Sequence, residues 1–375
     1  MTHIFIVDEN TFNIHLNYLF AGTGCKDNDL SCITNTKSTP TEKTLTGMIA
    51  DISKVRVGDK VLFYVTGSKK IYGVFSVESE PFYEPFNPNK TNYLYDKLNK
   101  NLTFRIRIKP LTVYSNGINE HEALDDISNI QHPYQMCWSL IYRKLSGNRG
   151  CSFLTNFESE RIIDLIKKKN NNVSLSGLTF LYNKGTQKIE VSNQIYNYIG
   201  NTANTLDVFP RLCEVSNSFE VHLQAFITKM YDKSLQNLFG VKNDTWIGNE
   251  VVCSVGEQRI DILIIDEGDS EVNIRIIELK CIKPYKEIIE IQIPWYIQWV
   301  DQYISPNYRK TVNIIPTIIA ENFTRNTKRK INFNLAKINF NSNIPKARNS
   351  HIKNLEFISF NLDRINKKIH FKLES

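Results

Sequence analysis

The run GEQRIDILIIDEGDSEVNIRIIELK, residues 256–280, limits the possible folds more than any other part of the chain. Ile260–Ile265 is apolar except for Asp261, and Asn273–Leu279 reads N-I-R-I-I-E-L. The polar D-E-G-D-S-E between them contains a glycine, the composition of a hairpin loop. Two antiparallel strands are predicted. Closing the hairpin carries Asp261 back beside Glu278, because both lie at strand ends away from the loop. Lys280 follows Glu278 by two residues and therefore shares its face. A charge inside an apolar strand is costly unless it is paired or bound to metal. The run thus predicts two carboxylates and one ammonium at a single rim of a sheet.

Oxygen donors of this kind suit Mg²⁺, a hard cation that keeps several waters and also takes phosphate oxygens. The lysine can hold an attacking water or offset developing phosphate charge. An E-x-K on a strand is by itself an ordinary solvated ion pair. The aspartate in the apolar strand, at hairpin spacing, is what lifts this one above that. Upstream, in residues 218–231, Phe219, Leu223, Phe226, Ile227 and Met230 recur at helical spacing. Ser218 can cap that helix, and Glu220 lies near its start. Downstream, Gln292 and Tyr296 fall at i and i+4, one above the other on a helix. Pro294 fits such a helix only in its first turn.

In the order Glu220, Asp261, Glu278-Leu279-Lys280, Gln292-x-x-x-Tyr296, the chain resembles the PD-(D/E)XK nuclease superfamily and its RecB-type branch. The likeness covers about residues 205–375. It includes the later segments TVNIIPTIIA, LEFISFNLD and KKIHFKLE. One departure is Ile260, which stands where the motif's name has proline. The resemblance implies a restriction-endonuclease-like mixed sheet flanked by helices. It implies metal binding by Asp261, Glu278 and the Leu279 carbonyl, with Glu220 contributing directly or through water. Lys280 would orient the water, and Gln292 and Tyr296 would steady the site or the DNA backbone. The implied cofactor is Mg²⁺, with Mn²⁺ able to substitute, and the implied reaction is phosphodiester hydrolysis.

The first 170 residues read as mostly β. THIFIVD, the end of Val57–Val65, Ile71–Glu78 and Asn101–Lys109 are predicted strands, and Asn156–Lys169 a helix. Phe20–Gly24 (F-A-G-T-G) is glycine-rich and reads as a tight turn. The runs I-x-x-V-x-V-G-D-K-V-L-F-Y-V, K-I-Y-G-V-F-S-V, FYEP and F-R-I-R-I-K-P resemble the EVE/PUA-like family of small β-barrels. EVE and the related YTH domains bind modified bases in an aromatic-walled pocket. Phe5 stands where that family commonly has a tryptophan. The candidate base-binding residues are the walls Phe63, Tyr64, Phe82, Tyr83, Tyr93 and Trp138, with Phe5, Asn10 and Asn17 able to approach. A base taken from its stack needs aromatic faces and polar groups for its edge.

A chain of 375 residues suggests two domains. The expected fold is a two-domain α/β and α+β protein. Residues 1–170 would form a β-barrel reader with helices, 171–206 a linker with a possible hairpin that turns at Asn183–Thr186 and packs on either domain or bridges them, and 207–375 the nuclease. Seven scattered cysteines without a C-x-x-C pair argue against a zinc site and for a reducing compartment. No apolar run reaches the eighteen or so residues of a membrane span, and MTHIFIVDEN lacks the sections of a signal peptide. A cytoplasmic protein without membrane contact is expected. Net charge is +7, with basic residues concentrated from Lys283 to Lys310 and from Arg325 to Lys353, as phosphate contacts require. The expected function is a modification-dependent DNA endonuclease acting on DNA that carries a modified cytosine or adenine. Cutting both strands needs two sites, so a homodimer is expected. A repair nuclease acting on mismatched, branched or single-stranded DNA, and a non-catalytic nucleic-acid binder, are the alternatives.

Overall fold

A computed structural model describes residues 1–24, 40–84, 93–100, 102–124, 131–132, 150–198, 203–204, 220–242, 245–253, 258–280, 287–321, 350–363, 365–366 and 368–374. The chain forms two compact units. One comprises residues 1–130 and 140–208, the other 131–139 and 209–375.

The strands of the first unit are β1 (Thr2–Val7), β2 (Phe20–Thr23), β3 (Lys60–Val65), β4 (Lys70–Val77), β5 (Phe82–Tyr83), β6 (Phe104–Pro110), β7 (Ile118–Asn119), β8 (Cys151–Leu154), β9 (Thr179–Asn183), β10 (Lys188–Ser192) and β11 (Ala203–Asn204). Among the described residues nine of them share a sheet in the order β11-β5-β6-β4-β3-β1-β8, with β2 on β6 and β7 on β4. β1 and β3 are parallel, whereas β3–β4, β4–β6 and β1–β8 are antiparallel. The result is a mixed, half-barrel sheet consistent with a PUA-like domain.

A parallel pair needs a crossover, and helix Glu9–Tyr18 begins it directly after β1. Asp8 caps this helix by accepting from Thr11 N at 2.8 Å. Leu19, in the left-handed region, ends it. The helix buries Phe12 and Leu16 against Phe5, Phe63, Tyr72 and Phe75 of the sheet. Helix Asn156–Lys169 starts at a second capping box, Thr155 with Glu158.

One expectation is corrected here. Phe20–Thr23 is not a turn but β2, paired with β6. Its glycine serves close approach: a Cβ on Gly22 would lie 3.3 Å from Arg105 Cγ. Of the places open to the hairpin, β9–β10 takes the first unit's core. It contributes Phe180, Tyr182 and Ile189 to the same buried cluster as Phe12 and Phe63.

The second unit contains β12 (Thr245–Val252), β13 (Arg259–Glu267), β14 (Glu271–Lys280), β15 (Thr311–Glu321), β16 (Ser350–Ile352), β17 (Glu356–Asp363) and β18 (Lys368–Glu374). The sheet order is β12-β13-β14-β15-β17-β18, with β16 on β15. β13–β14 is the predicted hairpin, closed where Gly268 N donates to Glu271 O at 2.9 Å. β14 and β15 are parallel and joined by a helical crossover. β14 is buried along nearly its whole length, as a central strand covered on both faces must be. Helix Glu220–Met230 lies against β12, β13 and β14, and helix Ile293–Trp299 against β14 and β15. Among the described residues no helix is long and apolar enough to cross a membrane.

Candidate functional site

The β13–β14 ladder runs as far as the pair Ile262–Ile277. Asp261 and Glu278 come next, so both side chains leave the sheet on one face. Asp261 Oδ2 accepts from the Leu279 N–H at 2.7 Å. Lys280 Nζ lies 2.7 Å from Glu278 Oε1 and 3.4 Å from Glu220 Oε1. Gln292 Nε2 donates to Glu278 Oε1 at 3.0 Å and reaches the Tyr296 hydroxyl at 2.5 Å. That hydroxyl donates to the Arg259 carbonyl at 2.6 Å. Glu220, Asp261, Glu278, Lys280, Gln292 and Tyr296 therefore meet in one place, although the strands β12, β13 and β14 lie in the chain between the first and last of them.

The crossover explains how Gln292 and Tyr296 arrive. Residues Ile288–Gln292 form a π-turn that passes into the α-helix Ile293–Trp299, with Pro294 in its first turn. A change of helical register of this kind is often found beside functional sites. Sequence reasoning missed Gln224, whose Nε2 donates to the Asp261 carbonyl at 2.9 Å and to Glu250 Oε1 at 3.1 Å. Its signal was present: Gln224 is four residues after Glu220 on the same helix.

Burial raises the Asp261 pKa well above the ordinary carboxylate value, and the negative charge of Glu278 adds to the rise. Burial also raises Glu278, although Lys280 pulls against it. Burial disfavours the Lys280 ammonium, but Glu278, Asp261 and Glu220 together outweigh this and raise its pKa. Glu278 is 1% exposed, and its Oε2 has no hydrogen-bond partner. Two carboxylates crowded out of water, one with an orphaned oxygen, fit a small divalent cation with oxygen preference. Among the described residues no group of three or more His, Cys, Asp or Glu side chains is gathered as a ligand set. Glu220 is turned to Lys280.

In the first unit Phe5 and Phe63 are fully buried and 6.3 Å apart in the core. They are corrected as base-binding residues: the abundance of aromatics hid which of them face inward. Tyr64 is buried, and its hydroxyl donates to Glu120 Oε2 at 2.6 Å. Asn10 lines a cavity of about 710 Å³ together with Asp8, Asn13, Lys97, Lys100 and Lys184. Lys100 pairs with Asp8, and Lys184 donates to Asn10. Phe82 belongs to a separate aromatic cluster with Tyr198. The Tyr83 side chain and Trp138 lie outside the described residues, as do the basic residues within 281–286 and 322–349.

No curated protein sequence matches the chain. Among solved structures, a crystal structure of the human THYN1 protein in complex with 5-methylcytosine containing DNA is similar to part of it. The identity is 13%, the match covers 44% of this chain and 97% of that one, and the TM-score is 0.26. Residues 49–133 match the family model of the EVE domain.

Proposed function

We propose that this chain is a divalent-cation-dependent DNA endonuclease whose first unit reads a modified base. The observation that carries the nuclease reading is the meeting of Asp261, Glu278 and Lys280, with the Glu278 Oε2 atom buried and unsatisfied. The EVE match supports the reading of the first unit, since that family binds modified bases.

Asp261 and Glu278 would hold the cation, Mg²⁺ or Mn²⁺. When bound, it supplies Lewis-acid stabilisation of the phosphate oxygens and a more acidic water. The protein's own part is positioning and charge. Lys280 has three N–H donors, enough to keep its contact with Glu278 while directing one at a water or a phosphate oxygen. Gln292 fixes the Glu278 carboxylate, and Tyr296 fixes Gln292 through the Arg259 carbonyl. Gln224 and the Leu279 N–H hold Asp261 from two sides. Water oxygen would attack phosphorus in line and give up a proton to solvent, the opposite P–O bond would break, and the leaving oxygen would take a proton from solvent. Cutting both strands would require a second copy of the chain.

The test is digestion of a panel of DNAs, unmodified and carrying modified cytosine or adenine, with Mg²⁺ or Mn²⁺ and a Lys280→Ala control. Cleavage favouring a modified duplex, lost in the control, supports the reading. Equal cutting of modified and unmodified duplex at matched salt removes the base-reading half and favours a structure-specific repair nuclease. No metal-dependent cutting of any substrate removes the nuclease half.

A further inference from the structure

Residues 193–198 have no regular secondary structure, yet they cross an aromatic cluster of the first unit. Tyr196 stacks on Tyr18 with ring centroids 4.8 Å apart. The Tyr93 hydroxyl donates to the Asn197 carbonyl at 3.3 Å. Tyr198 then enters among Phe20, Phe82 and Tyr93, with centroid separations of 5.6, 5.6 and 5.0 Å. Its hydroxyl accepts from Arg105 Nη1 at 2.9 Å and donates to Glu84 Oε2 at 2.9 Å.

The walls and the occupant differ in how they are held. Phe20, Phe82 and Arg105 lie on β2, β5 and β6, and each is buried. Arg105 is further tied by donating to the Leu102 and Tyr93 carbonyls, both at 2.7 Å. Tyr198 comes from an irregular segment that leaves Ile195 68% exposed. A segment of that kind opens at lower cost than a sheet does. The slot itself offers a planar ring aromatic contact on three sides, with one donor and one acceptor at its inner end. A nucleobase is a planar ring with donors and acceptors along one edge, and once out of its stack it needs the same surroundings. The basic cavity adjoins this slot, because Ile14 and Leu98 belong both to its lining and to the aromatic cluster.

We propose that the Tyr198 slot is a nucleobase-binding site held closed by the chain's own tyrosine, which an entering base displaces. This rests on the reading of the first unit as a DNA reader. Competition from a tethered side chain lowers the apparent affinity by the fraction of molecules that are open. Its removal must therefore tighten binding.

The test uses the full chain and a labelled single-stranded oligonucleotide, read by fluorescence anisotropy, with hydrogen exchange followed across residues 193–198. Tyr198→Ala is expected to tighten binding about tenfold. Tyr198→Phe, which keeps the ring and loses both hydrogen bonds, should give a smaller gain in the same direction, and it carries the test if the alanine variant does not fold. In the wild type, exchange across 193–198 should rise when oligonucleotide is added. Binding that is unchanged or weaker in the variants, or a segment that stays protected in the bound state, overturns the proposal and leaves the DNA-reading assignment standing. An oligonucleotide that binds neither the wild type nor either variant overturns both.

Discussion

Lys280 Nζ sits 2.7 Å from Glu278 Oε1, while the other oxygen of the same carboxylate is buried without a partner. The pair is thus half satisfied. A buried charge of this kind is a cost to the fold that stability alone does not account for. Glu278→Gln removes that charge and keeps the shape. It should leave the melting temperature equal to or a few degrees above wild type, while cutting falls at least about a hundredfold. Thermal melting and a single-turnover cleavage assay on the same preparation check the two halves of this outcome.

In the proposed nuclease, Gln292 and Tyr296 would act through Glu278. Gln292→Ala should lower cleavage about 10- to 100-fold, the usual effect of losing a residue that orients a metal ligand. Tyr296→Phe removes the donor to the Arg259 carbonyl and should cost about 0.5–1.5 kcal/mol of stability. Denaturant midpoints and initial rates separate the two effects. A Gln292→Ala enzyme with full activity would show that Glu278 needs no support.

His15 makes the first unit sensitive to acid. Its Nδ1 donates to the Phe20 carbonyl at 3.0 Å, and its Nε2 is buried without a partner. Burial, helped by the nearby Arg105 charge, lowers its pKa from 6.5 to about 3. The unfolded chain takes a proton below pH 6.5 that the folded chain refuses. The contribution is complete above pH 6.5 and is lost as pH falls from there towards 3, by up to about 1.4 kcal/mol per pH unit. His15→Gln should flatten the fall in the urea midpoint between pH 6.5 and 4. An unchanged slope would mean that other groups govern acid unfolding.

The β9–β10 hairpin is load shared with the first unit's core rather than a spacer. Phe180→Ala removes a fully buried ring in contact with Phe75. The expected cost is about 3–5 kcal/mol, visible as a lower denaturant midpoint. A change below about 1 kcal/mol would return the hairpin to the linker.

The hairpin that carries Asp261, Glu278 and Lys280 could be read from the sequence because strand alternation and turn chemistry agreed there. Helix Asn156–Lys169 was readable for the same reason: its capping box and its apolar period point one way. The aromatic slot was not readable. Tyr196 and Tyr198 stand in a polar stretch without periodicity, and nothing local says that an irregular segment lies on a sheet. The glycine of β2, Gly22, misled because glycine marks both turns and close backbone approach, and only the position of Arg105 decides between them. Phe5 and Phe63 misled because alternation shows that a strand has two faces without saying which one is buried.

The most direct measurement is Mg²⁺-dependent cleavage of a DNA duplex by the wild type and by Asp261→Ala, with DNA affinity determined in parallel. The account predicts cutting by the wild type and none by the variant, with affinities within a few-fold of each other. Normal cutting by Asp261→Ala would contradict it.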